Sequence, residues 1–264
     1  MCPFPKLANW WVVEAMIASY NRVYKTVHQA QYFDLGPIGV SDYGSAPIAN
    51  FQIEFLALDD DPLTVVDAMR NYNTDGRKFI LDVFHSKPSA REVKAKYAEY
   101  GFEFIRTGPI LGFDIPVPVR IEEMIINKVE SIEELDRVNS ALRPENESIH
   151  PETQGDPCIH NLYAEWDGQV VGWVQLITVY PRVGYINQIY TLAGFRKRRI
   201  GTALMARAHQ EAVNLGNNRM ALISSDLAMS LYRRLGYQPM AFFTALRPKE
   251  DRSEDLTMPL GSHP

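Results

Sequence analysis

The sequence predicts an α/β protein in two parts: a smaller N-terminal α/β domain over residues 1–118, and a larger domain over 119–264 whose mixed, mostly antiparallel sheet is flanked by helices. Three observations predict it. A length of 264 residues exceeds what one hydrophobic core usually serves, and the stiff stretch Gly112-Phe-Asp-Ile-Pro116-Val-Pro118 makes a natural connection near residue 118. Two runs rich in β-branched and aromatic residues flank Asp167-Gly168, a hairpin signal that pairs them antiparallel. Further on, a strand over 185–192 passes through a basic turn into a helix over 202–215 closed by Gly216, and a strand over 219–224 comes next, the pattern of a parallel crossover.

Within the first domain, residues 9–29 space Trp11, Ala15 and Ala18 beside Val13, Ile17, Tyr20 and Tyr24 at helical intervals, and Gly36-Pro37 stops any regular element started after them. Alternation of apolar and polar residues predicts a strand over 50–58. Asp59-Asp-Asp-Pro62 then supplies N-cap candidates for a helix over 63–71. The three acids also suggest a metal site, but a solvated cap is the better reading because no second ligand cluster stands nearby in sequence. A strand over 77–84 ends at His85, which without a partner in view reads as a local hydrogen-bonding residue rather than a catalytic base. A helix over 90–100 closed by Gly101 and a strand over 102–106 complete the domain.

The second domain opens with a strand over 119–128, and Ser131-Ile-Glu-Glu134 is a capping box for a helix reaching Leu142. Residues 143–157 form its longest loop, the kind of segment that carries binding work. Strands over 160–166 and 169–179 make the hairpin. After the crossover, Ser225 caps a helix over 226–235 ended by Gly236-Tyr237, and a strand over 242–247 closes the sheet before a polar tail.

Charge and composition exclude several functions. A net charge of −5 opposes bulk attraction to nucleic acid or anionic membrane, despite the short basic run Arg196-Lys-Arg-Arg199. The apolar stretch over 7–20 is broken by Asn9 and Glu14, is too short to span a bilayer and lacks a cleavage pattern. Two distant cysteines, Cys2 and Cys158, form no disulfide framework and suit a cytoplasmic setting. What remains is the helix that opens directly after a basic turn. Its unpaired N–H groups and positive dipole end favour an anion, above all a phosphate.

Three stretches resemble the GNAT superfamily of acyl-coenzyme A N-acyltransferases over roughly residues 119–247. Asp167-Gly-Gln-Val-Val-Gly172-Trp resembles the family's hairpin of strands two and three. Arg196-Lys-Arg-Arg-Ile-Gly201-Thr-Ala-Leu204 resembles its pyrophosphate loop and the helix after it. Ser225-Asp-Leu-Ala228-Met-Ser-Leu-Tyr232-Arg-Arg-Leu-Gly236-Tyr237 resembles the later helix. In one register Arg199 replaces the first loop glycine, which an arginine tolerates only with a negative φ. Shifted by two, Arg198, Gly201 and Ala203 fit the pattern at an unusual distance from the strand. In either register the main-chain N–H groups of 197–203 are expected to meet phosphates.

The resemblance implies acetyl transfer from acetyl-CoA, as co-substrate and without metal, to a primary amine of a small molecule or peptide that attacks the thioester directly. It implies a coenzyme site made of Tyr190, Thr191 and Leu192, of Arg196, Lys197, Arg198, Arg199, Ile200, Gly201, Thr202 and Ala203, and of Ser225 and Ala228. A backbone N–H of Tyr190, Thr191 or Leu192 polarises the thioester carbonyl, and Tyr232 returns a proton to the departing thiolate. The strand over 185–192 offers only Asn187 and Gln188, neither of them a base. Glu165, Asp167, His160 acting through a water, or a residue of the first domain all stay open for that role. Pro88-Ser-Ala90 and Tyr97-Ala-Glu-Tyr-Gly101-Phe102 faintly resemble the later helix, so the first domain reads as a degenerate copy walling the acceptor site, or as an unrelated cap. A homodimer is admitted. The alternative is a non-catalytic coenzyme A-binding or protein-interaction module, suggested by Arg199 and the missing base.

Overall fold

The computed structural model describes residues 9–44, 50–114 and 124–249. The connection near residue 118, the strand start expected over 119–123 and the tail beyond 249 lie outside the described residues. In chain order the elements are α1 (Trp11–His28), β1 (Gln31–Asp34), β2 (Ile38–Asp42), β3 (Ile53–Ala57), α2 (Pro62–Tyr72), β4 (Phe79–His85), α3 (Arg91–Ala98), β5 (Phe102–Asp114), β6 (Ile125–Lys128) and α4 (Ile132–Leu142). Beyond them come β7 (Ile159–Trp166), β8 (Gln169–Ile177), β9 (Val183–Thr191), α5 (Ile200–Asn214), β10 (Arg219–Ile223), α6 (Met229–Arg234) and β11 (Gln238–Pro248). Two compact units divide them. One takes residues 9–13, 28–110 and 239–249, the other 14–27 and 111–238.

The first unit orders its strands β1-β2-β3-β4-β11-β5. β3 and β4 run parallel, while β1 with β2, β2 with β3, and β4 with β11 run antiparallel. α2 and α3 bury Val65, Val66, Met69 and Tyr97 on Phe55, Leu81 and Val83, each aliphatic side chain contributing about 2 kcal/mol. Two expectations resolve as local chemistry. Asp61 caps α2, its carboxylate accepting from Thr64 N, and His85 joins Lys87 O and Thr244 Oγ1, each at 2.8 Å. The hairpin of β1 and β2 is not anticipated by the sequence. Gly36 turns the chain at φ 83° instead of stopping it, and Leu35 N–H donates to Ile38 O at 2.9 Å.

The second unit orders β10-β9-β8-β7-β6, antiparallel except for β9 with β10. Asp167 and Gly168 both take positive φ, 49° and 74°, as a two-residue hairpin turn with right-handed strands requires. Ser131 caps α4 by accepting from Glu134 N at 3.1 Å, and Glu134 accepts from Glu130 N at 2.8 Å. α5 presses Leu204, Met205, Ala208 and Ala212 onto Leu162, Val174, Leu176 and Ile186. Its alanines let the helix lie close: a Cβ on Gly184 would stand 3.1 Å from that of Ala212. Leu135, Val138 and Leu142 of α4 cover Tyr163 and Trp173 on the other face. Here the strand pairing fails on one side. β9 pairs with β10 only from Val183 to Ile186, and then runs on to Thr191 paired with β8 alone.

Candidate active site

The parting of β9 from β10 leaves one edge of β9 without a strand partner, and alternation decides which groups face it. Leu192 N–H donates to Val171 O at 2.9 Å, which makes that a hydrogen-bonded pair. Counting back along the register, Tyr190 opposite Trp173 is bonded in the same way, whereas Thr191 opposite Gly172 and Ile189 opposite Val174 are not. The N–H groups of Ile189 and Thr191 therefore point away from β8, into the parting. Tyr190 and Leu192, expected to share that duty, spend theirs on β8. A bulge at Asn187, which no residue of β8 opposes, sets this phase.

The tip of α5 stands beside Thr191. A Cβ added to Gly201 would lie 4.0 Å from Thr191 Oγ1 and 3.2 Å from Leu231 Cδ2, so strand end, helix tip and α6 converge on one glycine. No side chain caps α5, which leaves its first N–H groups to a guest. The negative φ expected of Arg199 is not found: its φ is 63°, and Lys197 is also left-handed at 64°. The arginine takes the glycine-like conformation at a cost of about 1–2 kcal/mol. Left-handed residues in such a turn fold successive N–H groups into a concavity that suits anions.

The four basic side chains diverge. Arg196 Nε donates to Thr191 O and its Nη2 to Tyr190 Oη, both at 3.1 Å. Arg198 lies over the rings of Phe195 and Trp166, at 5.4 and 5.9 Å. Lys197 and Arg199 are exposed and, among the described residues, pair with no carboxylate. Glu145, which the sequence does not single out, completes the strand end. Its carboxylate accepts from Tyr190 Oη at 2.7 Å and from Ala193 N at 2.9 Å. Burial and that carboxylate hold the Tyr190 phenol above its ordinary range. The one available signal was the long loop over 143–157.

Past β10 the chain departs from expectation. α6 begins at Met229 with Ala228 as its N-cap, and Ser225 does not cap it through its side chain. Instead Ser225 O accepts from Ala228 N and Met229 N at 3.2 and 3.1 Å, so a turn occupies the predicted first helical residues. Tyr232 is 3% exposed and packs edge-on to Tyr237 at 5.7 Å. Burial keeps its phenol protonated well above the usual pH of titration. Of the base candidates, Glu165 is held by Arg137 and by Asn127 Nδ2. His160 is buried against Thr178 Oγ1 at 3.1 Å, its pKa lowered by that burial and by Lys128. Asp167 forms the hairpin turn. Among the described residues no group of three or more His, Cys, Asp or Glu is placed to hold a metal, and no helix is long and apolar enough to cross a membrane.

Fold and site together define an α/β domain with a parted sheet and an uncapped helix tip at the parting. Residues 126–237 match the model of the acetyltransferase (GNAT) family. No curated protein matches the chain. Among solved structures, a GCN5-related N-acetyltransferase from Kribbella flavida aligns over 89% of this chain and 95% of its own at 20% identity, TM-score 0.66. A GCN5-related N-acetyltransferase from Sphaerobacter thermophilus aligns over 89% and 91% at 14% identity, TM-score 0.58. A tandem GNAT protein from the clavulanic acid biosynthesis pathway aligns over 82% and 79% at 11% identity, TM-score 0.59. These likenesses are of fold.

Proposed function

We propose that the protein is an N-acetyltransferase that moves an acetyl group from acetyl-CoA to a primary amine of a small molecule or peptide by direct attack. The observation that carries this is the parting of β9 from β10 beside an uncapped α5 tip with left-handed entry residues. The N–H groups at 197–202, with the free charges of Lys197 and Arg199, suit a diphosphate, whereas that of Ala203, expected to join them, donates to Arg199 O at 3.0 Å. The inward-pointing Thr191 N–H suits the thioester carbonyl, whose developing negative charge it would stabilise. Ser225 and Ala228 flank the site beyond β10, and Tyr232 is the phenol to return a proton to the thiolate. Acetyl-CoA supplies the activated acyl group. In this reading the enzyme works in the cytoplasm, where Cys158 stays a free thiol.

We read the first unit as a degenerate copy of the same fold, a reading supported by fold likeness to a protein described as tandem GNAT. Among its described residues it has neither feature that suits coenzyme A. β3 and β4 stay paired over the whole of Ile53–Ala57, and the tip of α2 carries Asp59, Asp60 and Asp61 where α5 carries Lys197 and Arg199. One coenzyme A per chain is therefore expected by calorimetry. Replacing Gly201 by valine, which drives a branched side chain toward Leu231 and Thr191, is expected to weaken that binding at least about tenfold. Unchanged affinity refutes the site. The burial of Tyr232 favours the non-catalytic module as second reading, and thiol release separates the two. Tight coenzyme binding with no release on any amine of a broad panel would establish the module.

A further inference from the structure

A row of side-chain amides crosses the sheet of the second unit behind the bulge. Asn187 Nδ2 donates to Gln175 Oε1 at 2.8 Å, Gln175 Nε2 to Asn161 Oδ1 at 3.0 Å, and Asn161 Nδ2 to Thr153 Oγ1 at 3.1 Å. The Thr153 hydroxyl donates onward to the His150 main-chain carbonyl at 2.7 Å. Thr153, Asn161 and Gln175 are buried, and Asn187 is half-buried. Apolar residues would fill such a sheet face without needing partners.

A single carboxamide can be turned end for end, but this row cannot. A carbonyl only accepts, so the one Thr153 proton goes to His150, and Thr153 must receive from Asn161. The Asn161 oxygen then faces Gln175, which must donate to it, and the Gln175 oxygen faces Asn187, which must donate in turn. The direction set at the His150 carbonyl thus arrives at Asn187 with its nitrogen committed inward and its Oδ1 turned away from the row. Asn187 is also the first residue of β9 beyond the last pair with β10.

We infer that Asn187 Oδ1 receives an N–H of the attacking amine, and that Gln175, Asn161 and Thr153 are positioning residues that fix its direction. This rests on the acetyltransferase reading above. An uncharged oxygen suits the purpose. A carboxylate at that point would favour the ammonium form, which has no lone pair to attack with, whereas an amide oxygen takes one N–H of the neutral amine and leaves its lone pair aimed by the hydrogen bond. The acceptor class is accordingly an uncharged primary amine at the moment of attack.

The test uses the full chain saturated with coenzyme A and three amines: butylamine, benzylamine and a lysine-containing peptide. In 15N spectra at least one of them is expected to shift the Asn187 side-chain amide signals, while Thr153→Val removes the slow exchange of the Asn161 and Asn187 amides. For each amine that supports thiol release, Asn187→Ala and Thr153→Val are expected to lower the rate about tenfold or more with coenzyme affinity unchanged. Thr153→Ser, which keeps the donating hydroxyl, restores it. Asn187 signals unmoved by every amine, wild-type turnover in Thr153→Val, or equal loss in Thr153→Ser overturns the inference. Failure of the wild-type chain to take up coenzyme A refutes the acetyltransferase reading and this inference with it, whereas uptake with Asn187 unmoved refutes the inference alone.

Discussion

Arg199 and Gly172 show how closely single residues are fitted around the strand end. Arg199 holds a φ of 63° that costs a side chain and suits glycine. Arg199→Gly is expected to raise stability by about 1 kcal/mol, read from the urea midpoint, while lowering coenzyme A affinity severalfold through the lost charge. Both changes together identify a strained residue kept for its cation. Gly172 is constrained by space alone. A Cβ there would stand 2.5 Å from Tyr190 O, a main-chain atom that cannot turn aside. Gly172→Ala is expected to cost about 2 kcal/mol in the same measurement, and to weaken coenzyme A binding by shifting Thr191.

At the scale of elements, the end of β9 is held from two directions, by Glu145 through Tyr190 and Ala193 and by Arg196 through Thr191 O. Glu145→Ala strands a phenol and a main-chain N–H, both within reach of water. It is therefore expected to cost only about 1 kcal/mol of stability, yet to raise KM for acetyl-CoA more than it lowers kcat. The strand, basic turn and helix from β9 to α5 were legible in sequence because every signal in them is local: β-branched run, charge cluster, helix formers, terminal glycine. The capping box at Ser131 and the turn at Asp167-Gly168 were legible for the same reason. The Glu145 clamp and the Asn187 row were not, since each depends on which residues lie opposite across strands. The phase of the Thr191 N–H was hidden too, because a one-residue bulge reverses which groups face outward.

For the molecule as a whole, the two units carry buried groups that titrate in opposite senses. In the second unit His209, 2% exposed and bound to Tyr237 Oη at 2.8 Å, has its pKa lowered by burial to about 4. Between that value and the unfolded value near 6.5 only the unfolded chain takes up the proton. The contribution is full above about pH 6.5, declines as pH falls, and amounts to about 3 kcal/mol lost by pH 4. In the first unit Glu54 is buried beside Asp82, and burial together with that neighbouring carboxylate pushes it up to about 8. Here the folded state holds the extra proton, so stability is lost as pH rises from about 4.5 toward 8. Melting curves across that range are expected to flatten on the acid side in His209→Gln and on the alkaline side in Glu54→Gln.

The place of β11 has a further consequence. It lies between β4 and β5, although the ribosome makes it after every other element described. While the intervening residues are being synthesised, β4 and β5 have emerged but lack the strand that belongs between them, and their open edges invite pairing with other nascent chains. The sheet of the first unit therefore closes only once β11 has been made, long after its other strands.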